Sequence, residues 1–245
     1  MRHFFTEPAN IQEHGIYMDG PDVNHMKNVL RMKPGEMVGV SDGGGHEYIC
    51  RISRYDGERV LLDIESVSQR ETELKSRIYL FQGLPKGDKM EWIVQKAVEL
   101  GVYQIIPVAT RRCVVRLDQK KAEKKTERWN AIALSAAKQS GRKAVPLVKP
   151  VMSFQEAVDY AGDMDVVLIP YEMAEGMEKT RRIIQGLEPG QSVAVFIGPE
   201  GGFEDEEVGA AVSRGAEAVT LGRRILRTET AGLAVLSVLM YHLES

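Results

Sequence analysis

Two short stretches carry residues whose types and spacing could do chemistry together. The first is Ile197-Gly198-Pro199-Glu200-Gly201-Gly202. The second is Leu221-Gly222-Arg223-Arg224-Ile225-Leu226-Arg227-Thr228-Glu229-Thr230-Ala231. Each follows a short apolar run of strand type, Val193 to Ile197 and Ala218 to Leu221. A proline between glycines forces a turn, and the glycines let a ligand approach the backbone closely. The pair therefore predicts a small-molecule site built from loops at strand ends. Arg227 offers a fixed guanidinium on its substrate side. Glu200 and Glu229 are proton acceptors only where burial tunes them. The structural alternatives are a salt bridge from Arg227 to Glu200 or Glu229, and a well-capped helix start at Thr228-Glu229-Thr230.

Other chemistries find no support. There is no GxxxxGK[ST] phosphate loop, and no GxGxxG follows the first strand of the alternating region, which disfavours nucleotide hydrolysis and a Rossmann-type site. The five histidines form no triad spacing with Ser213 or Ser237. Cys50 and Cys113 are far apart, so neither a disulfide framework nor a zinc site is expected, and no metal is.

The elements that must position these loops form two groups. Residues 1–72 read as mainly β, with strands at Glu36 to Val40, Tyr48 to Ile52 and Arg59 to Ile64, and a hairpin signal at Tyr55-Asp56-Gly57-Glu58. That pattern suits a small barrel or sandwich, with a short helix at His25 to Arg31 ahead of it. The polar stretch Ser68 to Glu73 marks the boundary. From residue 73 to 245 strands and helices alternate: strands at Ile78 to Phe81, Gln104 to Val108 and Asp165 to Pro170, and helices through Met90 to Val98, Gln119 to Ser140 and Thr228 to Leu243. Ser153 and Glu156 form a capping box signature. Alternation predicts a mostly parallel sheet with helices on both faces and ligands at the strands' carboxyl ends.

The net charge of −3 hides a strong asymmetry. Residues 73–150 hold 17 Lys/Arg against 7 Asp/Glu, whereas residues 151–245 hold 7 against 16. A basic middle folded onto one face would attract phosphates. No apolar stretch is long enough to span a membrane and no signal-peptide pattern opens the chain, so a cytoplasmic protein without membrane contact is expected.

Taken together, these stretches resemble the RsmE family of SPOUT-class methyltransferases, which methylate N3 of a uridine in 16S ribosomal RNA. The resemblance covers nearly the whole chain. It rests on His25 with Val29-Leu30-Arg31, Lys86-Gly87-Asp88-Lys89-Met90-Glu91, Gln95 to Val102, Gln139-Ser140-Gly141-Arg142, Ile197 to Phe203 and Leu221 to Ala231. One departure is Thr110-Arg111-Arg112-Cys113, where Arg111 replaces an acid. The resemblance implies an α/β catalytic domain with a deep trefoil knot, preceded by a PUA-like RNA-binding β-barrel. It implies S-adenosylmethionine as cofactor, the small ribosomal subunit and its 16S rRNA as partner, and a homodimer using the last helix.

The residue types then assign roles. Gly198, Pro199, Glu200, Gly201, Gly202, Leu221, Gly222, Ile225 and Leu226 supply close backbone and an apolar cleft for the cofactor, with Ile197 and with Leu168, Ile169 and Pro170 from a third strand. Arg227 is the leading catalytic candidate, since a guanidinium paired with a uracil carbonyl stabilises charge as N3 loses its proton. Glu200 and Glu229 stay open between proton acceptor and scaffold. Arg31, Lys86, Arg112 and Arg142 are phosphate-contact candidates. The rivals are an RNA-binding or assembly factor without catalysis, and a methyltransferase acting on another RNA.

Overall fold

The computed structural model describes residues 1–171 and 176–244. They form two compact units, one of residues 1–73 with 137–145, the other of residues 74–136 with 146–244.

The first unit contains β1 (Arg2–Phe5), β2 (Gly15–Met18), α1 (Pro21–Asn24), β3 (Met37–Ser41), β4 (Glu47–Asp56) and β5 (Arg59–Val67). The five strands are ordered β1-β3-β4-β5-β2; β1 and β3 are parallel and the other pairs antiparallel. Alternation buries one face, where Ile16, Val38, Val40, Cys50, Ile52, Val60 and Leu62 make one apolar cluster with Met26. Register shifts at Ile49/Cys50 and Ile52/Arg54 bend β4. The segment expected as a short helix is instead α1 followed by a π-helical turn at His25–Val29. It ends at Arg31, which has a left-handed φ of 53°. Such strain in a residue other than glycine is sustained only by surrounding structure. Here Met32 N bonds to Met26 O at 2.9 Å and Tyr55 Oη donates to Met32 O at 3.0 Å.

Residues 137–145 correct the expectation that everything after residue 73 is one domain. The reason is ionic and backbone pairing. Glu73 Oε1 accepts from Lys143 N at 2.9 Å and Ala144 N at 3.2 Å, while Oε2 accepts from Arg142 Nε at 3.1 Å. Lys143 Nζ donates to Ser68 O, and Lys138 pairs with Asp22 at 2.8 Å.

The second unit is built on β6 (Arg77–Gly83), β7 (Gln104–Ala109), β8 (Leu147–Val148), β9 (Met152–Ser153), β10 (Val166–Pro170), β11 (Ser192–Ile197) and β12 (Glu217–Val219). All pairings are parallel, in the order β12-β10-β11-β6-β7-β8, with β9 also on β7. The intervening helices are α2 (Lys89–Glu99), α3 (Gln119–Ser140, whose residues from 137 onward belong to the first unit), α4 (Phe154–Ala161), α5 (Met177–Gln185), α6 (Asp205–Ser213) and α7 (Thr228–Leu243). Local chemistry sets their ends. Asp118 Oδ1 accepts from Lys121 N at 2.8 Å to start α3, and Ser153 with Glu156 closes the capping box of α4. Strands buried on both faces explain the unbroken apolar runs of β6 and β11, whose Phe81 and Phe196 rings stack 4.4 Å apart. The chain reverses its direction of strand addition between β6 and β11, and the carboxyl ends beside that switch face the cleft described next.

Candidate active site

The two glycine-bearing loops form opposite walls of one cavity of about 850 Å³. The loop after β11 turns at once: Gly202 N donates to Pro199 O at 2.9 Å, with Gly202 at φ 68°. A side chain at Gly198 would stand 3.0 Å from the Gly202 backbone, so the turn closes only on glycine. The loop after β12 starts at Thr220, whose Oγ1 accepts from Gly222 N at 3.3 Å. Gly222 has φ 116°, and a Cβ there would meet no atom within 4 Å; it would project into open space.

One hydrogen-bonded chain joins these walls to the sheet. Gln82 Nε2 at the end of β6 donates to Thr228 Oγ1 at 2.9 Å, and Thr228 Oγ1 donates to Gly198 O at 2.6 Å. Thr228 is the first residue of α7, so that hydroxyl ties the start of the last helix to the first loop. Gly232, one turn on, lets α7 approach Gln82 and Ile197.

The charges divide sharply. Glu200 accepts from Lys89 Nζ at 2.8 Å and from Lys86 N at 3.1 Å. Glu229 Oε2 lies 3.3 Å from the same ammonium as an ion pair, without a hydrogen bond. Burial alone would raise the Glu200 carboxyl, but hydrogen bonds from Lys89 and the Glu200 and Lys86 backbone, with the Lys89 charge, hold it below the usual carboxylate range. Lys89 in turn is held above its usual value, first by its hydrogen bond to Glu200. Arg227 makes neither salt bridge anticipated for it: among the described residues its exposed guanidinium has no partner, and its carbonyl accepts from Thr230 N and Ala231 N. Arg111 meets Glu204 and Glu206, and Arg112 Nη1 donates to Gly201 O at 3.0 Å.

The expected cofactor residues do not all reach the cavity. Pro170, Ile197, Gly198 through Gly202, Leu221, Gly222, Ile225 and Leu226 line it. Ile225 stands 87% exposed at its rim. Leu168 and Ile169 do not line it; they are buried in the sheet at 1% and 0% exposure, because β10 carries only its last residue to the cleft. Arg142 is also corrected as a phosphate contact. Its side chain is 7% exposed and bonded to Glu73, so no phosphate reaches it without breaking that pair. Arg31 and Lys86 are exposed. Lys89 was missed, although it sits in the quoted stretch Lys86 to Glu91; nothing local distinguishes it from Lys86, and only the fold brings it to Glu200. Among the described residues no group of three or more His, Cys, Asp or Glu is arranged to hold a metal.

The RNA methyltransferase domain family matches residues 72–240, and the RNA methyltransferase PUA domain family matches residues 18–65. The chain is 38% identical over 250 residues to ribosomal RNA small subunit methyltransferase E of Bacillus subtilis (strain 168), covering 100% of this chain and 98% of the relative. This chain belongs to the ribosomal RNA small subunit methyltransferase E family. A second family member, from Mesomycoplasma hyopneumoniae (strain 232), is 31% identical over 237 residues, covering 97% of this chain and 98% of the relative. A crystal structure of the Neisseria gonorrhoeae family member bound to S-adenosyl methionine is 34% identical, with a TM-score of 0.82, and covers 98% of this chain and 97% of that one.

Proposed function

We propose that this protein transfers a methyl group from S-adenosylmethionine to N3 of a uridine in 16S ribosomal RNA, on the assembled small ribosomal subunit. The observation that carries the reading is an unpaired Arg227 at a cleft walled by two glycine loops at the carboxyl ends of parallel strands, in a chain of this family.

The cleft fits the cofactor. Its volume lies within the roughly 300–1,000 Å³ usual for ligand sites. Ile197, Pro199, Leu221 and Leu226 give apolar walls, and Gly222 leaves open the space a side chain would take. When bound, S-adenosylmethionine supplies an electrophilic methyl on a sulfonium. The protein's own residues must then align the uracil and stabilise its anion. Arg227 binds a uracil carbonyl oxygen and stabilises the charge that forms as N3 gives its proton to solvent. Lys89, kept protonated by Glu200 and Glu229, adds a second positive charge on the same wall. Glu200 and Glu229 are therefore read as positioning residues for Lys89. The Glu200 carboxyl, held low, is a poor proton acceptor. Arg112 holds the first loop through Gly201 O, leaving Arg31 and Lys86 as phosphate contacts.

Three features complete the proposal. Residues 1–72 are read as a PUA-like barrel, supported by one enclosed apolar cluster and the bend in β4. The domain after them is read as a deep trefoil knot, supported by the return of α7 from β12 at the sheet's edge to β6 and β11. A homodimer through α7 is supported by Tyr241 and Val238, exposed at 85% and 48%. No described helix is long and apolar enough to cross a membrane; a cytoplasmic location is read from the proposed ribosomal substrate.

The test is methyl transfer from labelled S-adenosylmethionine to intact small subunits and to deproteinised rRNA, with the modified nucleotide identified. Label in N3-methyluridine of 16S rRNA is expected. Cofactor binding without transfer to any RNA would favour a binding factor, and label in a different RNA would favour the other rival.

A further inference from the structure

Arg223 and Arg224 share the cleft mouth with Arg227, and all three are exposed, their guanidiniums making no hydrogen bond or ion pair among the described residues. Four other exposed arginines pair with carboxylates. Arg51 meets Glu65, Arg111 meets Glu204 and Glu206, Arg128 meets Glu91, and Arg214 meets Asp159. The contrast is sharpened by composition, because residues 151–245 hold 16 Asp/Glu against 7 Lys/Arg. Carboxylates are plentiful there, and three of the seven cations are left at one opening without them. Glu200, the single carboxylate among the described lining residues, is already held by Lys89 and Lys86 N. The positive end of α7, which starts at Thr228, adds to the same potential.

We propose that Arg223 and Arg224 form a phosphate clamp that takes RNA backbone phosphates beside the target nucleotide, and that filling the clamp raises the affinity of the cleft for the methyl donor. This rests on the methyltransferase reading above. The coupling follows from charge. S-adenosylmethionine carries a sulfonium, an ammonium and a carboxylate, so its net charge is positive; the demethylated product has lost the sulfonium charge and is neutral. Unpaired guanidiniums within a Debye length, about 8 Å at physiological salt, repel the donor more than the product. Phosphates in the clamp neutralise them, so RNA strengthens donor binding more than product binding. Linkage makes the effect mutual: bound donor strengthens RNA binding by the same factor.

The full chain is compared with the R223A/R224A and R223K/R224K variants, each checked for an unchanged thermal transition. Binding to unmodified small subunits is measured across a salt series. The alanine variant should lose about 1.4 from the slope of log affinity against log salt, roughly 0.7 for each single-strand phosphate contact, and the lysine variant should keep the slope. Affinity for S-adenosylmethionine and for the demethylated product is then measured with and without methylated subunits, where nothing turns over. Subunits should tighten donor binding to the native chain by about fivefold or more and product binding much less. In the alanine variant the enhancement should vanish, while the donor alone binds at least as tightly as to the native chain. An unchanged slope, equal enhancement for donor and product, or weaker donor binding by the alanine variant alone would overturn the clamp. A native chain that binds neither donor nor subunits would instead overturn the methyltransferase reading.

Discussion

Gly83 ends β6 directly beneath the loop that forms one cleft wall, and adding a single methyl there should loosen the cofactor site. A Cβ at Gly83 would lie 2.6 Å from Pro199 Cδ, 2.7 Å from Pro199 N and 3.1 Å from Gly198 C. Ordinary contact begins at 3.4 Å, so Pro199 would have to retreat by about 0.8 Å. The proline ring is closed onto its own backbone and has no rotamer by which to escape. The strand cannot yield instead, because β6 is paired with β11 on one side and β7 on the other. The displacement therefore falls on the Gly198–Gly202 turn. Overpacking of this kind costs about 1–3 kcal/mol. If about half appears as misplacement of the cleft wall, Gly83→Ala weakens S-adenosylmethionine binding by about fivefold, equivalent to about 1 kcal/mol. The thermal midpoint should fall by about 2–4 °C for each kcal/mol that remains in stability. Gly209→Ala is the matched control: the site lies inside α6, a Cβ there meets nothing within 4 Å, and affinity should be unchanged with stability raised by up to about 1 kcal/mol. Titration calorimetry with the cofactor and scanning calorimetry of each variant decide the matter. Native cofactor affinity together with native stability in Gly83→Ala would refute the packing argument.

Three further outcomes are expected. Arg227→Ala should lower turnover on small subunits by about 10²–10³-fold, the scale of losing one charge-stabilising donor, while cofactor affinity stays near native; full turnover would remove Arg227 from the mechanism. Glu73→Ala should destabilise the protein by about 3 kcal/mol in urea unfolding, because it removes the carboxylate that pairs with the buried Arg142 guanidinium and caps Lys143 N and Ala144 N; a loss under about 0.5 kcal/mol would show the pair to be dispensable. His3 is depressed below its usual value, first by burial and then by the Lys138 and Arg70 charges against the opposing Glu47, so the folded state keeps it neutral. The unfolded chain takes up that proton below about pH 6.5; the stability due to neutral His3 is present above that pH and drains away as pH falls toward the folded value. The urea midpoint should therefore fall between about pH 7.5 and 5.5, less steeply in His3→Gln, and equal falls in both proteins would reject the assignment.

The sequence made the second domain legible because its signals are local. The capping pairs at Asp118 and Ser153 and the apolar runs of β6 and β11 each declare an element within a few residues, and the structure has those elements. The glycine loops were legible for the same reason, being short and directly after strands. What escaped depends on long-range pairing. Lys89 looks like any lysine at a helix start until the fold sets it between Glu200 and Glu229, more than a hundred residues away. Arg142 reads as a surface cation until Glu73 buries it. Leu168 and Ile169 share the strand that reaches the cleft, but only Pro170 is long enough along it to line the wall. The π-helical turn at His25–Val29 has no sequence period of its own, so an ordinary helix was the natural expectation.

The return of residues 137–145 to the first unit makes the N-terminal part of this protein something other than a detachable cassette. The chain passes between the units after Glu73, after Ala136 and after Val145, so three covalent crossings join them where a simple tandem arrangement has one. A graft of residues 1–73 onto another enzyme would leave Glu73 without Arg142, Lys143 N and Ala144 N, and Asp22 without Lys138. Lineages that exchange such an N-terminal part by recombination must carry a second fragment from far downstream. Inheritance of the two units together is the economical course, and a laboratory chimera needs both pieces to succeed.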